Sequence, residues 1–279
     1  MEADMISQLG ISLKKIRREQ KLSQKEVADN ICSQSMLSAI EHGKYIPNAA
    51  LLLALCEKLS ISLNDISLAS DFNISSSQNF NDKLSYLCNQ HRYVELKTFL
   101  VNSATFDQVQ TATQTQAYYY YLGVACLHVD TTWDKARQNL QLAIASGEEQ
   151  LTVTTLTRVA LISLALTEAK AGQKTRALDF LKQATEKIDK AFYEENLNIV
   201  FYLAALIYLE LDDTKESLKW IQAGIKFSTS HNSHYMLANC YRLLAQIAKK
   251  SEDLDQELEA QKRSNLFKHL FAEKVFDDF

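Results

Sequence analysis

Gln34, Ser35 and Ser38 sit close together in the run SQSMLSAIEHGK, spaced so that a helix would carry all three on one face. A glutamine amide pairs with the donor and acceptor on adenine's major-groove edge, and a serine hydroxyl donates to or accepts from several bases. Gln24, ten residues upstream of Gln34, opens a preceding helix, where its side chain and the helix N-terminus suit a phosphate contact. Ser33 caps the helix that carries the base readers and is counted with this face. Lys44 follows that helix, within reach of a nucleic-acid backbone. Lys14, Lys15, Arg17, Arg18 and Lys21 crowd one side of the first helix and its exit, where a phosphate backbone would lie. No arginine lies among the reading residues, so direct guanine recognition is weak.

Short helices must present these side chains. Ser23 followed three residues later by Glu26 is a capping box, so a helix starts at Gln24 and turns Val27, Ala28 and Ile31 inward. Ser33 caps a second helix with Met36, Leu37 and Ile40 at helical spacing. Gly43 stands where a helix end wants positive φ, and Pro47 blocks continuation. Two short helices joined by a tight turn, with polar residues leading the second, read as a DNA-binding helix-turn-helix. Around them, Ile6 to Gln20 form a first helix with Ile6, Leu9, Leu13 and Ile16 on one face. Leu51, Leu52, Leu55 and Leu59 mark a fourth helix, and Ser62 to Leu68 a short fifth. This stretch resembles the helix-turn-helix of phage-repressor-like (XRE-type) regulators.

The 279 residues contain one proline and six glycines, which argues for long helices with short connections, and an all-α chain. The net charge of −4 excludes a globally basic nucleic-acid binder. Residues 1–70 hold eight Lys/Arg and eight Asp/Glu, so positive charge there is concentrated rather than abundant. Five scattered cysteines without C-x-x-C spacing read as reduced thiols in a cytoplasmic protein. The first residues lack a signal peptide's pattern, and no apolar run reaches a membrane span.

Residues 1–69 therefore form a five-helix DNA-binding domain. Residues 70–80, SDFNISSSQNF, lack periodicity and read as a linker. From 81 to 279 the chain is helical and repetitive. KARQNLQLAIA, TRALDFLKQAT and KESLKWIQAGI align, with small, large and small residues at Ala136, Leu140, Ala143; at Ala177, Leu181, Ala184; and at Ser217, Ile221, Gly224. Gly123, Ala165 and Ala205 match one another upstream, and Ala245 and Ser264 extend the step of about 40 residues into a fourth unit. Residues 81–90 and 93–101 make an earlier, looser pair. Small residues at fixed places let paired helices pack closely and stack into a superhelix, and the spacing resembles tetratricopeptide repeats.

A helix-turn-helix followed by such repeats resembles the PlcR/PrgX/Rgg group of peptide-pheromone-sensing regulators from Gram-positive bacteria, and within it the PlcR branch. The likeness rests on DNICSQSMLSAIEHGKYIPN, EKLSISL and LCNQHRYVEL. It implies a homodimer whose repeat domains bind a short signalling peptide and whose paired heads read an inverted-repeat operator in double-stranded DNA. In tetratricopeptide stacks the first helix of each pair lines the groove. Counting from the small packing residues places Tyr120, Val124, Ile162, Leu166, Tyr202, Leu206, Asn239, Arg242 and Gln246 on that lining. Arg158 and Asn198 fall at its edge. Asn198 and Asn239 would hold peptide amides, and Arg158 or Arg242 a carboxylate. The alternative is a tetratricopeptide adaptor, or a regulator, controlled by a protein partner.

Enzymatic patterns are weak. His231 and His234 form H-x-x-H without a third ligand at metal spacing, and neither a phosphate-cradling glycine loop nor G-x-S-x-G occurs. No metal or cofactor is expected. Trp133 and Trp220 are expected to pack in the second helices of repeats. Phe267, Phe271, Phe276 and Phe279 are expected to dock on the last repeat or in a dimer interface.

Overall fold

The computed structural model describes residues 9–10, 13–14, 16–18, 20–60, 72–147, 153–191 and 193–276. The chain divides into two compact units, residues 1–70 and 71–279, and the described residues form no strand.

In the first unit, helical residues between 9 and 18 (α1) precede α2 (Gln24–Ala28), α3 (Gln34–Glu41) and α4 (Ala49–Lys58). The capping box at α2 is complete: the Ser23 hydroxyl accepts the Glu26 N–H, and the Glu26 carboxylate accepts the Ser23 N–H. The Ser33 hydroxyl caps α3 by accepting the Met36 N–H, and Asn48 caps α4 at the Leu51 N–H. Gly43 leaves α3 with φ 64°. Leu13, Val27, Leu37, Ile40, Leu55 and Leu59 meet in one small core. Gly10 sits where an added Cβ would come within 2.1 Å of the Ile40 carbonyl oxygen, so α1 and the end of α3 approach backbone to backbone. The fifth helix expected at Ser62–Leu68 lies outside the described residues, as does Lys15.

The second unit is a stack of helical hairpins. α5 (Gln78–Asn89) and α6 (Tyr93–Leu100) open it, followed by a short α7 (Ser103–Phe106). Four larger pairs follow: α8 (Ala112–Val129) with α9 (Asp134–Ala145), α10 (Thr155–Lys170) with α11 (Lys174–Thr185), α12 (Leu197–Glu210) with α13 (Thr214–Ser230), and α14 (Leu237–Lys250) with α15 (Leu254–Phe271). The repeat residues do the packing expected of them. Ala136, Leu140, Ala143, Ala177, Ala184, Ser217 and Ile221 are fully buried, and Leu181 nearly so. The two serines also bridge their hairpins, Ser217 Oγ donating to the Ala205 carbonyl and Ser264 Oγ to the Ala238 carbonyl.

Residues 72–80 are not a free linker. Ile74 is fully buried in the core of the second unit, Phe72 meets the Tyr120 ring edge-on at 5.9 Å, and α5 already begins at Gln78. The Asn81 side chain holds the turn, accepting the N–H of Ile74 and Ser75 and donating to the Ser75 carbonyl. The Ser/Asn-rich composition concealed two apolar anchors and the side chain that fastens them.

Trp133 is the N-cap residue of α9 rather than part of the helix, while Trp220 lies within α13 and packs on Phe201 at 5.9 Å. Phe267 stacks on Tyr241 and Phe271 on His234, within the last repeat and the loop before it, whereas Phe276 stacks on His91 of the first pair rather than on the last repeat; Phe279 lies outside the described residues. His231 stacks on Tyr193 at 3.9 Å, so both histidines of H-x-x-H serve as ring partners.

Candidate functional site

At the start of α3, Gln34 and Ser35 are exposed and Ser38 is half-buried. Gln34 Nε2 donates to Gln24 Oε1 at 2.9 Å, and Gln24 Nε2 donates to Glu41 Oε2 at 2.8 Å. Glu41 in turn receives a fork from Arg17, Nε to Oε1 at 2.6 Å and Nη2 to Oε2 at 2.8 Å, while Arg17 Nη1 donates to the Leu22 carbonyl. The chain Arg17–Glu41–Gln24–Gln34 thus fixes the amide of the exposed glutamine through three buried or half-buried partners. Burial pushes the Glu41 carboxyl up, but hydrogen bonds from Arg17 and Gln24 outweigh it and hold the group below its usual range.

Two sequence expectations change here. Arg17, expected on a phosphate backbone, is only 8% exposed and committed to Glu41. Gln24, expected at a phosphate, bridges Glu41 and Gln34 with its side-chain amide. Glu41 was not singled out in the sequence, since an acid late in an amphipathic helix normally faces solvent; its only signal was an arginine able to reach it from another helix. Ser33 caps α3, and its hydroxyl also lies 2.9 Å from that of Ser35. His42 Nδ1 contacts the Ser38 carbonyl at 2.7 Å, and its Nε2 lies 3.4 Å from Lys14 Nζ. Lys14, Arg18, Lys25, Gln24, Gln34 and His42 line one open concave face, and Lys44 stands exposed beyond α3.

The second candidate lies within the helical repeats, where a cavity of about 280 Å³ opens between first helices of successive pairs. Tyr120, Val124, Leu127 and His128 of α8, Ser163 and Leu166 of α10, Ile199, Tyr202 and Leu203 of α12, and Asn239 of α14 line it. The corner between α5 and α6 adds Cys88 to His91 and Tyr93, and residues 234–236, 271–274 and Phe276 complete it. Tyr93 and His128 stack face to face at 3.9 Å, giving the cavity a flat aromatic wall.

Of the expected lining residues, Tyr120, Val124, Leu166, Tyr202 and Asn239 reach the cavity; Ile162, Leu206, Arg158, Asn198, Arg242 and Gln246 do not. Ile162 is fully buried and Leu206 3% exposed in the repeat core. The Arg158 guanidinium donates to the Ala184 carbonyl at 2.7 Å, and burial holds its pKa below the usual arginine value. Asn198 donates to Ser233 Oγ and the Tyr235 carbonyl, fastening the loop that precedes α14. The reason is general to this stack. Nearly every residue of α10 from Thr155 to Ala169 is buried, so a helix apolar all round is packed all round and only one patch of it is left for a cavity. Asn239 does reach the cavity, where its side-chain amide holds backbone of the protein's own chain. Its Nδ2 donates to the Lys274 carbonyl at 3.0 Å, and its Oδ1 accepts the Phe276 N–H at 3.0 Å.

Residues 13–66 match the family described as helix-turn-helix. No curated protein sequence matches the chain. Among solved structures, the fold is similar to that of Bacillus thuringiensis PlcR in complex with the peptide PapR7 and DNA, at 23% identity and a TM-score of 0.60 over 95% of this chain and 96% of that one. The apo form of the same PlcR gives 20% identity and 0.55, covering 95% and 94% of the two chains. ComR from S. thermophilus in complex with DNA and its signalling peptide ComS gives 12% and 0.51, again covering 95% and 94%. The described residues are thus all-α, with an amino-terminal helix-turn-helix and a carboxy-terminal helical-repeat domain whose fold resembles that of PlcR.

Proposed function

We propose that the protein is a transcription regulator that binds an inverted-repeat operator as a homodimer and responds to a short peptide held in the repeat-domain cavity. The observation that carries this reading is the Asn239 grip. A single side-chain amide holds the Lys274 carbonyl and the Phe276 N–H beside an aromatic-walled cavity, a contact to backbone groups that a bound peptide of any sequence also offers. The locked Gln34 amide supports base reading by the other unit, with Ser35 and Ser38 beside it and Arg18, Lys14, Lys25 and Lys44 toward phosphates. PlcR and ComR, whose fold this chain shares, were crystallised with DNA and a peptide. Leu254, Leu258, Leu266 and Leu270 are more than half exposed at multiples of four residues along α15, which supports a second copy as partner.

No described helix is long and apolar enough to cross a membrane; the reading places the protein in the cytoplasm with its operator, and assigns it no catalytic step. A ligand that binds one dimer geometry better shifts the spacing of the two heads by its differential affinity. The test is binding of the purified protein to promoter fragments around its own gene, with and without short peptides encoded nearby. Specific binding that one peptide strengthens or weakens is the expected result. Specific binding indifferent to every peptide would transfer control to a protein partner, and absence of specific binding by folded dimer would remove the regulator reading.

A further inference from the structure

α14 begins without a cap of its own. Met236 precedes it in left-handed backbone, φ 69°, and no neighbouring side chain accepts the first amides. That role falls to Glu273, far along the chain. Its carboxylate accepts the N–H of Ala238 and of Asn239, each at 3.3 Å, and Asn239 Nδ2 at 2.6 Å. A carboxylate suits this place, because the helix start offers unmet donors and partial positive charge. Ala272 turns the chain out of α15 with φ 51°, and Asn239 then grips the backbone at Lys274 and Phe276. The Phe276 ring stacks on His91 at 3.9 Å and lies within 6.0 Å of the His128 and Tyr202 rings. Val275 is 6% exposed, whereas Lys274 points to solvent. Four consecutive residues are therefore held as a bound peptide would be held, and they belong to the protein itself.

We propose that residues 273–276 are an internal ligand of the repeat-domain cavity, and that the external ligand is a short extended peptide of the same chemistry, an acidic residue followed three positions later by an aromatic one, which binds by displacing them. The inference rests on the peptide-sensing reading above and names the ligand class and the threshold of that site. The acid caps α14, the Asn239 amide holds backbone of any sequence, and the aromatic residue enters the slot beside His91. A tethered segment faces its site at an effective concentration in the millimolar range, so an external peptide succeeds only by making these contacts and others beyond them. The signal must exceed a set level before it is read.

The experiment uses the full chain and a fluorescein-labelled, C-terminally amidated peptide Ala-Glu-Lys-Val-Phe, the sequence of residues 272–276, followed by anisotropy. Phe276→Ala is expected to bind it at least about ten-fold more tightly than the unaltered protein, because the internal competitor is weakened. Adding Asn239→Ala to that variant should abolish binding, and a probe with Gln for Glu should bind more weakly. Equal affinity for the unaltered protein and folded Phe276→Ala would overturn internal occupancy. Absence of binding to folded Phe276→Ala would overturn the ligand class. The unaltered protein gives an independent reading by hydrogen exchange: the Ala238 and Asn239 amides should exchange at least about ten-fold more slowly than an uncapped first turn, and open-chain exchange there would overturn the proposal whatever the variants do. DNA affinity that still responds to an unrelated peptide would sink this inference alone and leave the sensor reading standing.

Discussion

Glu41 illustrates how one buried acid sets the chemistry of an exposed face. Its side chain is fully shielded and holds Arg17 and Gln24 together. Removing one partner of a buried ion pair leaves the other charge uncompensated, so Glu41→Ala is expected to destabilise the amino-terminal unit by about 3–5 kcal/mol, measured by thermal or denaturant unfolding. A loss below about 1 kcal/mol would mean the pair behaves as an exposed one. The pH dependence has a definite sign. The folded carboxyl lies below its usual range, so its contribution is complete above the unfolded value of about 4.3 and disappears as pH falls through the lower folded value. Acid should loosen this unit as pH falls below about 4.3, and Glu41→Gln should flatten that part of the curve. Gln34 is the reporter of the same network. Gln34→Ala should cost about 1–3 kcal/mol at one operator position and little elsewhere; uniform loss over all operator variants would show that it reads no base.

Helices approach one another here at the places where side chains are smallest. A Cβ on Gly123 would come within 2.7 Å of the Leu140 side chain, and one on Gly224 within 2.9 Å of the Phe201 Cβ. These are the crossing points of α8 with α9 and of α13 with α12. Gly123→Val forces that first hairpin apart and should lower stability by about 1–3 kcal/mol, read by thermal unfolding, with the cavity wall at Tyr120 and Val124 displaced on the same helix. An unchanged melting temperature would show that the hairpin can yield. The repeat pattern was legible because close packing needs a small residue at one fixed place per unit. The cavity lining was half legible. Tyr120, Leu166, Tyr202 and Asn239 followed from counting, but counting could not tell that Ile162 and Leu206 on the same helices lie beneath a neighbour.

For the molecule as a whole, the exposed leucines of α15 carry the prediction on assembly. Replacing Leu258 and Leu266 by glutamate should shift the protein from dimer to monomer in sedimentation velocity and weaken binding to a two-half-site operator far more than to a single half-site. A dimer that survives both changes would place the interface on another face.

Residue types and their spacing were enough for the all-α class, the caps of α2 and α3, the exposed polar start of α3 and the hairpin repeat, because each is a local consequence of hydrogen bonding or helical periodicity. Only the tertiary structure decided that Arg17 is bound by Glu41 rather than free, that Ile74 anchors a stretch reading as linker, and that Glu273, Lys274 and Phe276 come to line the cavity. Those outcomes join residues distant along the chain. Which distant group satisfies a buried donor depends on where folded helices place it, and that information is absent from any local window of sequence.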